Sequence, residues 1–321
     1  MPMSFFITGT GSAIPGLCVP NDALSGFLDT NDEWIRTRTG IRQRNILTSE
    51  SLLDLAERSA IEALSLSKCS PLSIDMIICS TLHGDFFTPS MSCLLSKRLG
   101  INCRHMLDIN MGCSGFIFAL ELAAAYFDSK RVKRVLIVCA EAMSRLVDWE
   151  DRSTCVLFGD GAGAVILEEG EGLIDLACSI DGEYENLNIP GIEGNSPFSQ
   201  KRDTMPYLNM NGQEIYKFAV SAIINDITSM LEKNAIPPDD VAYYFLHQAN
   251  IRIIESARHK LKQPEEKFPC NIESCGNTSS ATIPILLDEV NRQGKIKKGD
   301  VLLLSAFGSG LTSAVALLRW N

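Results

Sequence analysis

Residues 105–127 have the sequence His105-Met-Leu-Asp-Ile-Asn-Met-Gly-Cys-Ser-Gly-Phe-Ile-Phe-Ala-Leu-Glu-Leu-Ala-Ala-Ala-Tyr-Phe127. The first six residues have the apolar character of a short strand, and Met111-Gly112 is typical of a tight turn. From Cys113 onward the chain is apolar on nearly every face of a helix, which predicts a buried helix. Similar strand-like and helical runs alternate along the whole chain. This alternation predicts an α/β protein with buried, mostly parallel sheets.

Cys113 lies in the first turn of that predicted helix. The positive end of the helix dipole and the unpaired N–H groups of the turn favour a thiolate. The backbone amide there can also face negative charge that develops on a carbonyl oxygen. The position therefore suits covalent acyl chemistry, although a free cysteine can equally be a small buried hydrophobic residue.

The overall composition is that of an ordinary globular protein. The 321 residues are 45% hydrophobic and 21% charged, and the formal net charge is −10. This acidic balance, with no long basic stretch, argues against nucleic-acid binding but leaves room for a local basic patch. No segment approaches the about 18 consecutive apolar residues of a membrane-spanning helix, so we expect no membrane span.

The cysteines are scattered along the chain. There are 11 of them, with no Cys-x-x-Cys spacing, and only four histidines, so the sequence predicts no metal site. Several cysteines fall in apolar runs such as Met76-Ile-Ile-Cys79, which is typical of reduced core residues. The pattern predicts a reducing compartment, and hence a cytoplasmic protein.

The order of elements is repeated in the two parts of the chain. Asp75 and Asp240, which precede apolar runs, are 165 positions apart, and the later runs at Val135 and Val301 are 166 apart. In this register the Phe268–Ile272 run is the counterpart of the strand at His105. The repeat predicts two similar α/β halves, residues 1–172 and 173–321.

Two polar loops in the second half follow apolar runs. They are His247-Gln-Ala-Asn250 and Gly276-Asn-Thr-Ser-Ser-Ala281. Because α/β proteins place their sites at the carboxyl ends of strands, we expect both loops at a sheet edge. If the halves stack, these loops can meet Cys113.

These segments resemble the Cys–His–Asn site of the β-ketoacyl-acyl carrier protein synthase III family. The matching motifs occur along the chain in the family's order: Asn31-Asp-Glu-Trp-Ile-Arg-Thr-Arg-Thr-Gly-Ile41, Asn110-Met-Gly-Cys-Ser-Gly-Phe116, Phe158-Gly-Asp-Gly-Ala-Gly163, His247-Gln-Ala-Asn250, Gly276-Asn-Thr-Ser-Ser-Ala281 and Phe307-Gly-Ser-Gly-Leu-Thr312. The resemblance implies a thiolase-like fold in which duplicated halves stack as five layers, αβαβα. It also implies a homodimer.

The resemblance further implies an acyltransferase that initiates fatty acid synthesis. Cys113 would take the acyl group of an acyl-coenzyme A, with the backbone N–H groups of Cys113 and Ser309 as the oxyanion hole. His247 and Asn277 would donate hydrogen bonds to the enolate formed when malonyl-acyl carrier protein loses carbon dioxide. The enolate carbon would then attack the acyl group and give a β-ketoacyl-carrier protein, with no metal or redox cofactor.

Substrate-binding positions are carried over from the same resemblance. The coenzyme A groove would comprise Thr30, Trp34, Arg38 and Arg152; the acyl pocket, Thr88 and Phe307; and the patch for acyl carrier protein, Lys217, Arg252 and Lys260. Arginine suits phosphates and planar rings, and a basic cluster suits an acidic carrier. Without the resemblance, these positions would be a half-buried tryptophan and solvated cations.

Three positions depart from the family's commonest pattern. Ser309 replaces a glycine, Ser313-Ala314 replaces a tryptophan and a glycine, and Thr88 replaces a residue, often aromatic, that caps the partner subunit's acyl pocket. The smaller side chain at Thr88 hints at starters larger than acetyl. An alternative is therefore a related condensing or acyl-transfer enzyme of a specialised pathway with a longer or unusual starter. A non-catalytic scaffold subunit is disfavoured, because the nucleophile and both donors are present.

Overall fold

The computed structural model describes residues 4–191, 197–198 and 207–321. The strands of this part are β1 Ser4–Ala13, β2 Leu17–Pro20, β3 Gln43–Ile46, β4 Met76–Ser80, β5 His105–Ile109, β6 Arg134–Ala142, β7 Asp160–Gly170, β8 Leu173–Ile180, β9 Leu187–Asn188, β10 Asn209–Met210, β11 Val241–Leu246, β12 Val301–Gly308 and β13 Thr312–Arg319. The helices are α1 Asn21–Leu24, α2 Asp32–Thr39, α3 Leu52–Ser67, α4 Met91–Leu99, α5 Gly115–Asp128, α6 Gly212–Lys233, α7 Ile251–Leu261, α8 Ile272–Cys275 and α9 Thr282–Arg292.

Two sheets form the centre of the molecule. The first has the strand order β1-β7-β6-β4-β5, and the second has the order β11-β12-β13-β8. Strands β4, β5 and β6 run parallel, as do β11 and β12, but β7 and β13 are antiparallel to their neighbours. The prediction of mostly parallel sheets is therefore wrong. The sheets are mixed, because β7 and β13 each return beside the preceding strand without a crossover helix.

Helices fill three layers around these sheets. Phe116 and Leu120 of α5 and Leu287 of α9 belong to one buried cluster with strands of both sheets. A second cluster packs α3 and α4 on the outer face of the first sheet, and a third packs α6 and α7 on the second. The order is helix, sheet, helix, sheet, helix, and the predicted five-layered thiolase-like fold is confirmed.

Local sequence signals explain where helix α3 begins and why α9 can pack closely on the first sheet. Helix α3 starts with a capping box, in which Ser51 and Asp54 satisfy each other's backbone N–H groups. A Cβ atom added at Gly163 would lie 2.8 Å from the Ile285 amide nitrogen. Glycine at that position lets α9 approach the first sheet closely.

The segment around Phe268 differs from the expectation. Residues 268–271 form no strand; the short helix α8 follows instead, so Asn277 does not follow a strand as predicted. Pro269 has no amide hydrogen for a sheet ladder, and Phe268 stacks on Tyr244 with a ring-centroid distance of 4.7 Å. The second half keeps the repeat for β11 and β12 but lacks a counterpart of β5 in the described residues.

The chain passes from the first sheet to the second between β7, which ends at Gly170, and β8, which begins at Leu173. The division into residues 1–172 and 173–321 stays a prediction. Over the described ranges, no helix is both long and apolar enough to traverse a bilayer.

Candidate active site

Cys113 lies on a short 3-10 turn, Gly112–Ser114, between β5 and α5. Gly112 has φ +52°, and a Cβ atom there would lie 2.6 Å from the Ser309 hydroxyl oxygen. Glycine is thus required both by the backbone conformation and by the neighbouring turn. This construction places the Cys113 sulfur at the junction of the two halves.

One cavity of about 1160 Å³ contains the predicted reactive groups. Its wall includes Cys113, His247 and Asn277, together with Phe307 and Ser309. Apolar side chains form much of the rest: Leu82, Met111, Met143, Leu146, Leu157, Phe158 and Leu208. A cavity of this size and lining suits a small or drug-sized ligand with an apolar part.

Ser279 connects all three predicted reactive residues. Its backbone N–H donates to Asn277 Oδ1 at 2.8 Å, and its carbonyl oxygen accepts from the Thr282 hydroxyl at 3.1 Å. That hydroxyl lies 2.7 Å from His247 Nδ1. The Ser279 hydroxyl oxygen lies 3.6 Å from the Cys113 sulfur. The sulfur and the two nitrogen-bearing side chains therefore converge on one residue.

The polar contacts decide which atoms of His247 and Asn277 remain for a ligand. Asn277 uses Oδ1 for Ser279, so its Nδ2 is the free donor. His247 Nδ1 lies 2.7 Å from the Thr282 hydroxyl oxygen, so Nε2 is the ring nitrogen that remains for a ligand. Burial lowers the pKa of His247 to about 3. The ring is therefore neutral at physiological pH.

The Cys113 thiol is less acidic than its place before a helix suggests. Burial raises the pKa of Cys113 to about 12; the negative charge of Glu141 acts in the same direction, while the hydrogen bond with Ser279 and the Cys113 amide oppose it. This loss of hydration disfavours the charged form of the thiol and so opposes the expected thiolate, which stays a prediction. The sulfur needs a proton acceptor when it reacts.

The turns that carry the Cys113 and Ser309 amides lie close together. A Cβ atom added at Gly308 would lie 2.9 Å from the Cys113 nitrogen, and one added at Gly112 would lie 3.3 Å from the Ser309 nitrogen. The two turns are therefore in close contact, as an oxyanion hole made from the Cys113 and Ser309 amides requires. Ser309 is not among the residues with a left-handed backbone, so the turn accommodates its Cβ.

The predicted coenzyme A residues form a separate polar patch near the cavity mouth. The guanidinium carbons of Arg38 and Arg152 lie 4.6 and 5.2 Å from the centre of the Trp34 ring. Arg152 also bonds the backbone and side chain of Asp29. The Thr30 hydroxyl is buried and has no hydrogen-bond partner among the described residues.

The predicted carrier patch lies on two adjacent helices, α6 and α7. Lys217 pairs with Glu214 at 2.6 Å, and Arg252 donates to the Thr37 carbonyl at 2.8 Å. Lys260 is exposed on α7. Thr88 is exposed and is not part of the cavity wall, so its predicted role at a partner subunit's pocket stays a prediction.

Sequence reasoning missed Glu141 and gave Ser279 and Thr282 no role. Glu141 ends the apolar strand β6 and is 1% exposed. A lone carboxylate at the carboxyl end of a buried strand was the signal that could have revealed it. Within the described residues, no group of three or more His, Cys, Asp or Glu side chains is arranged to hold a metal ion.

The sequence matches two family models over much of its length. The model described as 3-oxoacyl-[acyl-carrier-protein] synthase III covers residues 107–182, and its C-terminal counterpart covers residues 231–320. The chain is also 43% identical to a β-ketoacyl-[acyl-carrier-protein] synthase III of Clostridium beijerinckii over 318 residues, 98% of each chain.

Solved structures indicate the same similarity. The chain superposes on a 3-oxoacyl-[acyl-carrier-protein] synthase III from Aquifex aeolicus with a TM-score of 0.92 and 40% identity, covering 99% of this chain and 100% of that one. It matches the priming β-ketosynthase of the R1128 polyketide pathway with a TM-score of 0.92 and 31% identity, covering 99% of this chain and 96% of that one.

Proposed function

The chain belongs to the 3-oxoacyl-[acyl-carrier-protein] synthase III family, and we infer that it catalyses the decarboxylating condensation that initiates fatty acid synthesis. An acyl-coenzyme A starter and malonyl-acyl carrier protein give a β-ketoacyl-carrier protein. One observation supports this assignment above the others. The Cys113 sulfur, His247 and Asn277 line one cavity and are tied together by Ser279.

In the first half-reaction, the Cys113 sulfur attacks the carbonyl carbon of the acyl thioester. The carbonyl oxygen gains negative charge and is stabilised by the amides of Cys113 and Ser309. The bond to the coenzyme A sulfur then breaks, and the acyl group stays on Cys113. The contact between the two turns at Gly112 and Gly308 supports this role.

In the second half-reaction, malonyl-acyl carrier protein loses carbon dioxide. The electrons of the broken bond form an enolate whose oxygen accepts hydrogen bonds from His247 Nε2 and Asn277 Nδ2. A neutral histidine suits this task when its proton is on Nε2, the tautomer in which the Thr282 hydroxyl proton points to Nδ1 instead of to the Ser279 carbonyl oxygen. The enolate carbon attacks the acyl group and releases Cys113. Since decarboxylation drives the step, we propose that no metal or redox cofactor takes part.

Substrate handling follows from the surface patches. We propose that Trp34, Arg38, Arg152 and Thr30 bind coenzyme A, that Lys217, Arg252 and Lys260 bind the acidic carrier protein, and that Phe307 borders the acyl chain. A homodimer, in which Thr88 borders the partner's pocket, is supported by the 58% and 77% exposure of Phe86 and Phe87. The free state of the 11 cysteines, all within the described residues, supports a cytoplasmic location.

The alternative of a specialised pathway is not favoured. Relatives matched over nearly the whole chain at 40–43% identity are named synthase III, whereas the polyketide-pathway structure shares 31%. We propose that the departures from the family's commonest pattern at Ser309, Ser313-Ala314 and Thr88 affect which acyl starter is accepted. Turnover with acetyl-coenzyme A and with longer acyl-coenzyme A donors distinguishes the two cases.

Acylation and condensation are measured separately to test the assignment. Wild type is expected to take a radiolabelled acyl group from acyl-coenzyme A, and Cys113→Ala is expected to take none. His247→Ala and Asn277→Ala should accept the label but form product from malonyl-acyl carrier protein at least about 10²-fold more slowly. If wild type takes no label from any acyl donor, the assignment fails. Unimpaired condensation by either variant would refute its assigned role.

A further inference from the structure

A buried hydrogen-bonded chain leads from the reactive sulfur to a carboxylate. The Cys113 thiol lies 3.6 Å from the Ser279 hydroxyl oxygen, and that hydroxyl donates to Glu141 Oε1 at 3.3 Å. Glu141 is 1% exposed and Ser279 is fully buried. The path therefore joins the sulfur to an ionisable group out of contact with bulk water.

The direction of proton donation along this chain follows from the partners. Glu141 also accepts from the Ser280 hydroxyl at 2.6 Å and from the Leu82 amide at 3.0 Å, so its oxygens act as acceptors. Ser279 has one hydroxyl proton, and this proton points to Glu141. The Ser279 oxygen is then free to accept the thiol proton of Cys113.

We propose that Glu141, acting through the hydroxyl of Ser279, receives the proton of Cys113 as its sulfur attacks the acyl thioester. The inference rests on the proposed function, because it concerns the acylation half of that reaction. Glu141 does not touch the reacting atoms, and Ser279 is the group in contact with the sulfur.

The proton balance of this step closes without an external reactant. The S–H proton moves to Ser279 while the Ser279 proton moves to Glu141, which becomes a neutral acid. The sulfur forms its bond to the acyl carbon, and the carbon–sulfur bond to coenzyme A breaks. The departing coenzyme A thiolate is protonated at the expense of Glu141, whose carboxylate is thereby restored.

The surroundings of Glu141 suit a proton acceptor at neutral pH. Burial raises the pKa of Glu141 to about 7, opposed by the hydrogen bonds from Leu82, Ser280 and Ser279. A base with a pKa near the working pH is the most effective. By contrast, burial raises the pKa of the Cys113 thiol to about 12, which favours transfer of its proton to a nearby acceptor as the sulfur reacts.

Few charged groups surround this carboxylate. The titratable groups to which its charge couples are the thiols of Cys113, from the turn before α5, and of Cys139, on its own strand. Asp160 of β7, in register with the adjacent Ala142, is held by Leu47 and Ser144 instead. No Lys or Arg in the described part of the chain forms a salt bridge with Glu141. Its proton affinity is set mainly by burial and hydrogen bonds.

Ser279 also has a left-handed backbone, with φ +52°. A side chain in that conformation costs roughly 1 kcal/mol relative to glycine. Glycine would avoid this cost but has no hydroxyl, and the Ser279 hydroxyl bridges the Cys113 sulfur and the Glu141 carboxylate.

The test compares Glu141→Gln and Ser279→Ala with Ser280→Ala, which serves as the matched control. Ser280 donates to the same carboxylate oxygen but forms no hydrogen bond with Cys113. Single-turnover acylation by acetyl-coenzyme A and alkylation by iodoacetamide are measured from pH 5 to pH 9, with thermal unfolding as a check on folding. The alkylation rate reports sulfur reactivity independently of substrate binding.

In wild type, both rates should rise as Glu141 ionises near pH 7 and then level off. Glu141→Gln and Ser279→Ala should lose this rise and acylate about 10²-fold more slowly at pH 7.5. Ser280→Ala should keep the rise but shift it to higher pH, because the carboxylate has lost a stabilising hydrogen bond.

Equal loss in Ser279→Ala and Ser280→Ala would overturn the relay, since a merely structural role predicts that outcome. An unchanged pH profile in folded Glu141→Gln or Ser279→Ala would also overturn it. Absence of acylation in wild type with every acyl donor would instead defeat the proposed function, so the two failures are distinguishable.

Discussion

Two turns of the molecule have nearly the same backbone but different side chains. Gly112 begins the 3-10 turn before α5, and Ser279 begins the 3-10 turn before α9, 167 positions later. Both residues have φ +52°, and both following helices lie in the central layer. The sequence repeat therefore includes the two turns at the centre of the site.

The difference between the turns separates two tasks. In the first half, glycine lets the Ser309 turn pack against the turn of the nucleophile. In the second half, serine accepts backbone strain and supplies contacts to the sulfur, the amide and, through Thr282, the imidazole. One turn presents the reacting atom, and the other holds the groups that act on it.

A side chain added at Gly112, in the first turn, should have the largest effect on stability and on the acylation rate. In Gly112→Ala, the new Cβ would lie 2.6 Å from the Ser309 hydroxyl oxygen. We expect a loss of about 2 kcal/mol in unfolding free energy and an acylation rate about 10²-fold lower, because the oxyanion amides separate. Urea unfolding and single-turnover acylation measure both effects.

Gly100→Ala is the control for this variant, since Gly100 also has positive φ, +66°, but no atom lies within 4 Å of an added Cβ. It should lose about 1 kcal/mol of stability and acylate normally. If Gly112→Ala behaves in the same way, the contact between the two turns is unimportant for the chemistry.

The strain in the second turn can be isolated with two variants that both lack the hydroxyl. Ser279→Gly should be about 1 kcal/mol more stable than Ser279→Ala, because only alanine keeps a Cβ in the left-handed conformation. Both should acylate equally slowly. Thermal unfolding at one pH checks the difference, and equal stabilities would show that the turn carries no strain.

The smallest expected effect on activity comes from charged residues on the surface of the second half. Lys217→Ala should lower kcat/KM for malonyl-acyl carrier protein about threefold at low salt, and Glu214→Gln, which removes the neighbouring negative charge, should raise it. Steady-state rates at two ionic strengths check both variants. The same direction of change in both would argue that this patch does not receive an acidic carrier.

The fold and the central residues were predictable because their signals are local. The apolar run into Cys113, the capping box at Ser51 and the loops at His247 and Asn277 each reveal their role over a few residues. The prediction that these residues lie together in space followed from the family resemblance and from the repeat.

Other features depend on atoms distant in sequence. The raised pKa of Cys113 comes from burial by both halves. Glu141 is linked to the Cys113 sulfur through Ser279, 138 positions away. Pro269 interrupts the predicted repeat locally, yet the run around it is apolar enough to resemble a strand. Periodicity alone shows neither desolvation nor such contacts.

A crystal structure of the acyl-enzyme, prepared by soaking with acyl-coenzyme A, shows directly whether these groups act on one carbon atom. We expect the acyl carbon on the Cys113 sulfur, its oxygen about 3 Å from the amides of Cys113 and Ser309, and the side chains of His247 and Asn277 facing the same carbon. An acyl group on another residue, or one whose carbonyl faces away from these four groups, would contradict the account.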